Sequence, residues 1–379
     1  MLIGINAAAA IKQPRTGVEE YTYQVIKHLT MLPQAEEHHF LLYLPAVALA
    51  KAGLPFDFSL PKNFEIKKLS WCLPMWTQLR LASHLFFDKP DILFIPVHIL
   101  PMVHPKNSVV TIHGLEYEYF PECYPLWFRN YLRLSTRYAL KHARKIIAVS
   151  ENTKMDLIKF YGADESKIAV VHHGVEMQNA KIPPKARLAK GGKNQKENAK
   201  SKIKKPYLLY IGRIEVKKNI LGILEAYKIL KEKYRIPHEL VLAGAPGFGY
   251  DKIKFKIQDS KFKINELGFV SEDEKQQLLA NADVFIFPSL YEGFGMPVLE
   301  AQTSGVPVVS SNGSSIPEVT GESSVLIDST NHQQIAGAVH MLIDDKAFHD
   351  KLIELGFENI KRFSWEKCAR ETLQVLTEK

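Results

Sequence analysis

The stretch PSLYEGFGMPVLE, residues 288–300, joins a predicted strand to a predicted helix. Residues 282–288 form a short apolar run, rich in β-branched and aromatic side chains, which is typical of a buried strand. Gly293 and Gly295 permit backbone angles, or a close approach of a ligand, that larger residues would prevent. Pro297 suits the first turn of a helix, which we place at residues 297–304. The junction therefore predicts backbone N–H groups that point at an anion.

Two glutamates, Glu292 and Glu300, lie within this junction. Paired carboxylates can hydrolyse glycosides, but eight positions along one helix would separate them by roughly 12 Å. The carboxylates of glycoside hydrolases lie about 5–5.5 Å apart in retaining enzymes and about 6.5–9.5 Å apart in inverting ones. Because a carboxylate repels phosphate, we expect each glutamate to accept hydrogen bonds from sugar hydroxyls. The alternative is a loop glutamate and a second one that only interacts with the helix dipole.

A second strand-to-helix junction, YLLYIGRIEVKKN at residues 207–219, precedes the first by about eighty residues. Arg213 offers a planar guanidinium to one phosphate, and Lys218 offers a compact charge to another. The alternative is that both are solvated surface residues. Combined with residues 292–300, they predict a diphosphate held between two cations and the N-terminus of a helix.

Strands and helices alternate through both halves of the chain, which predicts parallel sheets covered by helices. Ligands of such folds bind beyond the carboxyl ends of the strands, and His113, Arg213 and Glu292 each follow a predicted strand. We predict strands at residues 2–6, 40–44, 92–95, 109–112, 146–149, 168–171, 207–211, 239–243, 265–269, 284–287 and 306–310.

The two junctions together resemble the retaining glycosyltransferases of family 4. Further matching motifs occur in the expected order at residues 17–21, 111–114, 149–153, 173–175 and 364–365. The resemblance covers essentially the whole chain apart from one insertion. It implies an α/β fold of the GT-B type, in which two Rossmann-like, doubly wound parallel-sheet domains face a cleft.

The resemblance also implies roles for individual residues. Arg213 and Lys218 would stabilise the leaving diphosphate, Glu292 would hold the donor sugar, and Glu300 would hold the ribose. Val270 would contact the base through its backbone. The donor-binding positions that it implies are Gly17, Gly212, Val270, Phe294, Gly295, Met296, Leu299 and Glu300.

His113 is the fourth catalytic position that the resemblance implies, as a contact to the donor sugar. Related enzymes have a His-Asp pair here, whereas this chain has His113-Gly114, so the role of the aspartate is lost or passes to Glu116 or Glu118. A role for His113 as a base in proton transfer is disfavoured. The alternative is a hydrogen-bonded structural histidine.

The reaction implied is transfer of a hexose from a GDP- or UDP-sugar, with retention, to a saccharide or lipid-linked saccharide in surface polysaccharide assembly. Mannose or glucose is preferred. We expect no cofactor and no metal, because cations replace the metal and no Asp-x-Asp motif occurs in the cleft segments. The alternatives are another nucleotide-sugar enzyme on this scaffold, such as an epimerase, and a protein that binds membranes or nucleic acid through a basic segment.

That basic segment accounts for the net charge of +8. Residues 181–205 hold nine lysines and one arginine against Glu197, so the remaining residues carry a net charge of −1. We predict a disordered linker at 179–205 between domains at 1–178 and 206–360, with a helix at 361–379 that packs back on the first domain. The segment is interpreted as a tether, or else as a contact to anionic lipid. Because it lacks aromatic residues, we expect no nucleic-acid binding.

The three scattered cysteines form no disulfide framework and indicate a reducing compartment. The chain begins with a strand-like run without a basic leader, so we expect no signal peptide. Its longest uncharged apolar stretch, residues 92–103, is too short and too interrupted by proline to span a bilayer. We therefore expect a cytoplasmic protein, with peripheral attachment to the inner face of the membrane as an option.

Overall fold

The computed structural model describes residues 1–46, 56–70, 75–176, 203 and 205–378. The chain forms two compact units. The first comprises Met1–Gly174 with Phe363–Lys379, and the second comprises Val175–Arg362. The predicted basic linker at 179–205 lies outside the described residues, except for Ile203 and Lys205.

A seven-stranded parallel sheet forms the centre of the first unit as described. Three of its strands, β1, β4 and β5, are apolar and buried almost throughout. The seven strands lie in the order β3-β2-β1-β4-β5-β6-β7, so the order reverses between β1 and β4. The strands are β1 (Leu2–Asn6), β2 (His39–Pro45), β3 (Phe64–Leu69), β4 (Ile92–Ile95), β5 (Ser108–Ile112), β6 (Lys145–Ala148) and β7 (Ile168–Val170).

Helices cover this sheet on its two faces. Inward-facing residues of α2, α4 and α5 pack into one cluster with β4, β5 and β6. The helices are α1 (Gly17–Leu29), α2 (Ala82–Phe87), α3 (Glu116–Tyr119), α4 (Leu126–His142), α5 (Glu151–Tyr161) and the last helix of the chain, Trp365–Thr377; shorter helical turns lie at Pro33–Glu37, Trp76–Leu81, Pro121–Cys123 and Glu165–Lys167.

The last helix packs against α1 and belongs to the first unit. Ser364 caps it by accepting a hydrogen bond from the Lys367 amide at 3.1 Å. Arg144 donates to the carbonyls of Val375 and Leu376 at its other end, both at 2.9 Å. The last helix is shorter than the predicted range of 361–379. Ile360–Arg362 form a separate 3-10 turn, and the helix begins at Trp365, because the backbone of Ser364 is extended.

The second unit has a six-stranded parallel sheet in its described part, in the order β10-β9-β8-β11-β12-β13. The order reverses between β8 and β11, and parallel α/β sheets bind ligands at such a reversal, beyond the carboxyl ends of the strands. The strands are β8 (Tyr207–Ile211), β9 (Glu239–Ala243), β10 (Ile264–Gly268), β11 (Val284–Phe287), β12 (Val308–Ser311) and β13 (Val325–Ile327).

The helices of the second unit pack on both faces of this sheet. Its core is a cluster of aliphatic and aromatic residues contributed by β8, β9, β11 and β12 and by the surrounding helices. The helices are α6 (Ile220–Glu232), α7 (Tyr250–Gln258), α8 (Glu272–Asn281), α9 (Met296–Thr303), α10 (Ile316–Thr320), α11 (His332–Asp344) and α12 (Lys346–Asn359), with 3-10 turns at Val216–Lys218 and Ile360–Arg362; α13 denotes the last helix, Trp365–Thr377.

Two strands were not predicted from the sequence. The residues of β3, FEIKKL, include three charged side chains, and β13 has only three residues. Both are edge strands, where one side of the strand stays unpaired and an apolar run is not required. The strand predicted at 306–310 begins instead at Val308. No helix in the described ranges is long and apolar enough to cross a membrane.

Candidate active site

The junction after β11 is a tightly held loop that leads into α9. Gly295 precedes the helix with φ of +100°, and a Cβ there would lie 2.6 Å from a methyl carbon of Ile316. Only glycine fits these two conditions. The helix begins at Met296, one residue earlier than predicted. In its first turn Pro297 has no N–H, and the Val298 amide donates to the Gly295 carbonyl at 3.1 Å.

Two serines that follow β12 hold this loop in place. The Ser315 hydroxyl lies 3.0 Å from the Glu292 carbonyl and 2.9 Å from the Phe294 carbonyl. The Glu292 amide donates to the Ser314 hydroxyl at 3.0 Å. Both serines are absent from the sequence prediction, although the run SNGSS at residues 311–315, immediately after a strand, is a signal that could have identified them.

The carboxylate of Glu292 is paired with Lys218. The Lys218 ammonium lies 2.6 Å from Glu292 Oε1, and the Ser289 hydroxyl donates to the same oxygen at 2.6 Å. Glu292 is 9% exposed, and the Lys218 side chain is 17% exposed. The residue predicted to bind phosphate and the residue predicted to bind sugar thus form an ion pair with each other.

Arg213 lies beside this pair in sequence but remains exposed. Gly212 before it has φ of +153°, and its carbonyl oxygen would be only 1.7 Å from a Cβ on Gly244. The glycine-rich loop after β9 therefore packs directly on the loop after β8. No carboxylate of the described residues forms an ion pair with the Arg213 guanidinium, so its charge is available to a ligand.

Glu300 forms an ion pair with a lysine that was not predicted from the sequence. The Lys275 ammonium, from α8, lies 2.7 Å from Glu300 Oε1 and 2.9 Å from Glu272 Oε2. Burial alone would lower the pKa of Lys275, but these two carboxylates outweigh it and raise that pKa above its usual value. The contact depends on how α8 packs beside α9, which no local pattern shows.

The remaining predicted donor-binding residues of the second unit differ in how deeply their side chains are buried. The Val270 side chain packs on the core, and Leu299 is fully buried, so either could reach a ligand only through its backbone. Phe294 is buried and Met296 is half-buried at the start of α9. These positions follow β10 and β11, on the carboxyl edge of the sheet.

His113 lies after β5 in the first unit and is held by hydrogen bonds at its ring and backbone. Its Nε2 is 2.8 Å from the Pro96 carbonyl, and its amide is 3.1 Å from Nε2 of His98. Burial, with a smaller contribution from His98, lowers the pKa of His113 to about 4. The ring is therefore neutral near pH 7, with the proton on Nε2 and an acceptor at Nδ1.

Gly17 begins α1 in the same unit and is exposed. A Cβ there would meet nothing within 4 Å, and its φ is not in the left-handed region. Neither packing nor backbone conformation requires glycine at this position. Close approach of a ligand to the helix N-terminus remains a reason for it.

The structure thus brings four predicted features together in the second unit. Arg213, Lys218, Glu292 and the N-terminus of α9 all follow β8 or β11, the strands between which the strand order reverses. Parallel α/β sheets bind ligands at this position. Two cations and helix N–H groups are suited to a diphosphate, while buried carboxylates are suited to hydroxyl groups.

Two models of known families match the chain in succession. The model described as Glycosyltransferase Family 4 matches residues 15–179, and the model described as Glycosyl transferases group 1 matches residues 193–358. Between them they include Gly17 and His113 in the first unit and Arg213 and Glu292 in the second.

Curated relatives align over most of the chain. O-antigen chain mannosyltransferase B of Escherichia coli is 29% identical over 393 residues, which covers 97% of this chain and 98% of that protein. O-antigen chain mannosyltransferase RfbU of Salmonella typhimurium (strain LT2) is 24% identical over 301 residues, or 76% of each chain.

Solved structures match both units. HepE from Anabaena in complex with UDP-glucose has a TM-score of 0.73 at 16% identity, over 100% of this chain and 99% of that one. WaaG, a glycosyltransferase involved in lipopolysaccharide biosynthesis, has a TM-score of 0.72 at 14% identity, over 100% of both chains. The predicted GT-B fold, with its two parallel-sheet domains, is confirmed.

Proposed function

Because this chain belongs to the family-4 glycosyltransferases, we propose that it transfers a hexose from a GDP- or UDP-sugar to a saccharide or lipid-linked saccharide, with retention at the anomeric carbon. The observation that carries this proposal is the group formed by Arg213, Lys218 and Glu292 beside the N-terminus of α9. The names of the two mannosyltransferase relatives favour mannose and a role in polysaccharide assembly. The HepE complex with UDP-glucose supports a nucleotide-sugar donor.

The chemistry assigned to these residues is stabilisation of the leaving group. When the bond between the anomeric carbon and the β-phosphate oxygen breaks, its electron pair stays on the phosphate. Arg213, Lys218 and the N–H groups near Met296 would stabilise that charge electrostatically. The acceptor hydroxyl attacks from the same face, and its proton passes to the departing phosphate. Gly17 and His113 remain proposed donor contacts.

Glu292 would accept hydrogen bonds from donor-sugar hydroxyls, and Glu300 would accept them from the ribose. Gly212, Val270, Phe294, Gly295 and Leu299 would contribute backbone contacts. Phe294 and Leu299 are assigned backbone contacts because the protein encloses their side chains.

The test is the double variant Arg213→Ala with Lys218→Ala, assayed for transfer from a panel of GDP- and UDP-sugars. Each lost donor should lower kcat by about 10²–10³-fold, as at other preorganised electrostatic sites. Lys217→Ala is the matched control, since Lys217 adjoins Lys218 but faces Glu215 at 3.6 Å. Preserved turnover in the double variant, or an equal loss in the control, would refute the mechanism.

We also propose that transfer needs no metal ion or cofactor, because Arg213 and Lys218 supply the positive charge that the diphosphate requires. Chelation with EDTA should leave turnover unchanged in the wild type. A loss that Mg²⁺ or Mn²⁺ restores would show that a metal takes part.

A further inference from the structure

Ser289 is a buried serine of the loop between β11 and α9, and it is only 1% exposed. Its hydroxyl donates to Oε1 of Glu292 at 2.6 Å, and the Lys218 ammonium lies at the same distance from the same oxygen. The other oxygen, Oε2, accepts no hydrogen bond from the residues that the structure describes. The protein therefore holds the Glu292 carboxylate by one oxygen alone.

The backbone around Ser289 is tied to the loops that follow β8 and β13. The Leu290 amide donates to the Lys217 carbonyl at 2.9 Å. The Ser289 carbonyl accepts a hydrogen bond from the Ser329 hydroxyl at 3.4 Å, and the side-chain amide of Asn219 donates to the Ser329 carbonyl at 2.6 Å. These contacts fix the point from which the Ser289 hydroxyl reaches Glu292. They use only the backbone of residues 289 and 290, so they do not depend on that hydroxyl.

The burial of Ser289 separates its role from that of a substrate contact. A side chain that is 1% exposed cannot touch the donor, so it can act on the reaction only through a neighbour. That neighbour is Glu292, whose carboxylate is not fixed by its own rotamer, because the last torsion of a glutamate side chain is broad. The hydrogen bond from Ser289 selects which oxygen faces the protein and which one faces away from it.

Lys218 cannot keep this orientation by itself, because it is assigned to the diphosphate once the donor binds. Ser289 is suited to remain, since its buried hydroxyl cannot turn to a phosphate. A hydrogen bond from a hydroxyl to an ionised carboxylate is also about twice as strong as one between neutral groups, and such bonds are typically about 2.5–2.7 Å long. The distance of 2.6 Å from Ser289 to Glu292 lies in this range.

We propose that Ser289 is a positioning residue for recognition of the donor sugar. It holds Oε1 of Glu292 while Lys218 leaves that oxygen for the diphosphate, so that the sugar hydroxyls meet Oε2 alone. This inference rests on the proposed function. A single carboxylate oxygen has two lone pairs, so it accepts from one hydroxyl or from two neighbouring ones. Glu292 would therefore recognise one edge of the sugar ring.

The experiment is a double-mutant cycle of Ser289→Ala and Glu292→Ala in the sugar-transfer assay. Ser289→Ala alone should lower kcat/KM for the donor by about 10–100-fold, the range expected when a hydrogen bond to a charged group is lost. In the Glu292→Ala background the same change should have no further effect, because the hydroxyl has lost the group through which it acts. An equal loss in both backgrounds would overturn the proposal, since Ser289 would then act through the packing of its loop.

The same cycle separates this inference from the proposed function. Wild-type turnover in Glu292→Ala would contradict the proposed function itself. A loss in Glu292→Ala without any loss in Ser289→Ala would leave that function intact and overturn only the role of Ser289. Where Glu292→Ala turns over too slowly to measure, calorimetric binding of the donor completes the cycle.

Two further variants guard against a general effect on folding. Ser289→Cys is close to serine in size and is a weaker hydrogen-bond donor, so its loss should lie between those of the wild type and Ser289→Ala, even if the alanine variant is unstable. Ser310→Ala is the matched control. Ser310 is fully buried in β12 beside Phe287, and its hydroxyl has no hydrogen-bond partner in the described part of the chain. It should transfer sugar as the wild type does, and a loss equal to that of Ser289→Ala would overturn the proposal.

Donors in which fluorine replaces a single sugar hydroxyl provide a second readout. Because fluorine cannot donate a hydrogen bond, the wild type should discriminate against the donor that is modified at the hydroxyl bound by Oε2. Ser289→Ala should discriminate less against that same donor, since its Glu292 carboxylate is no longer held in one orientation. Discrimination that is unchanged in Ser289→Ala would overturn the proposal.

Discussion

Lys275→Met should reduce both stability and the recognition of ribose. Methionine replaces most of the aliphatic chain and removes the ammonium that contacts Glu300 at 2.7 Å and Glu272 at 2.9 Å. The Lys275 side chain is only 17% exposed, so water does not fully replace the lost contacts. Glu300, proposed to hold the ribose, then loses the group that orients it.

The expected loss in the free energy of unfolding of Lys275→Met follows from the exposed fractions of the two carboxylates. Glu272 is 67% exposed, so its pair with Lys275 contributes at most about 1 kcal/mol, as surface pairs do. Glu300 is 25% exposed, and a hydrogen bond between charged groups in that setting contributes about 1.5–3 kcal/mol. We expect a total loss of about 2 kcal/mol in the free energy of unfolding of the second unit. For a unit of this size, that lowers the melting temperature by about 4–8 °C.

The pH dependence of this loss has a definite sign. Because the pKa of Lys275 is raised in the folded state, its stabilisation is fully present below the unfolded pKa of about 10.4. It is lost only as the pH rises through the higher folded value. The difference in stability between wild type and Lys275→Met should therefore stay constant across neutral pH and shrink only under strongly alkaline conditions.

The assay combines thermal unfolding with calorimetric binding of nucleoside diphosphates that carry ribose, 2′-deoxyribose or 3′-deoxyribose. The wild type should prefer ribose, and Lys275→Met should discriminate less. The control is Lys263→Met, which removes an exposed pair with Glu239 at 3.0 Å and should have little effect on either measurement. Unchanged stability, or an unchanged preference for ribose, would refute the reasoning.

Three further predictions concern the glycines and serines that shape the two units. Gly174→Ala should destabilise the first unit by about 1–3 kcal/mol in chemical denaturation, because the new Cβ would lie 2.1 Å from the Trp365 amide nitrogen; an unchanged midpoint would mean that the last helix shifts freely. Gly17→Ala should leave the melting temperature unchanged, since its Cβ has open space, and should lower transfer activity if a phosphate approaches there. Ser315→Ala should lower kcat with a comparatively small change in melting temperature, because it removes the hydroxyl that holds the Glu292 and Phe294 carbonyls. Ser166→Ala changes a serine of the first unit and is the comparison: an equal loss of kcat there would indicate a general effect.

The sequence was most informative where the chain is buried. The apolar runs of β8 and β11, each followed by glycine and charged residues, were sufficient to predict both strands and the loops that carry Arg213 and Glu292. Parallel strands that are covered on both faces are almost uniformly apolar, so they stand out in a sequence. Edge strands such as β3 carry charged residues, so they do not stand out in a sequence.

Contacts between distant segments were beyond prediction from the sequence. The pair formed by Lys218 and Glu292 joins residues 74 positions apart. These residues meet because β8 and β11 are neighbours in the sheet. The orientation of His113 is a similar case, because its Nε2 contacts a backbone carbonyl that follows β4. Sequence patterns show which residues reach the carboxyl edge of a sheet, but not which of them pair.

The pairing of Lys218 with Glu292 has a consequence for the order of events in the proposed reaction. A diphosphate must attract Lys218 away from a carboxylate 2.6 Å away, whereas the exposed Arg213 is available to it at once. Once Lys218 turns to the phosphate, the Ser289 hydroxyl still donates to Glu292, but the buried carboxylate has lost its cation and needs further hydrogen-bond donors, because burying an ionised group with too few partners is costly. The hydroxyls of the donor sugar supply them, and the nucleotide that remains after transfer does not. Intact donor should therefore bind more tightly than the nucleoside diphosphate alone, and return of Lys218 to Glu292 would favour release of the product.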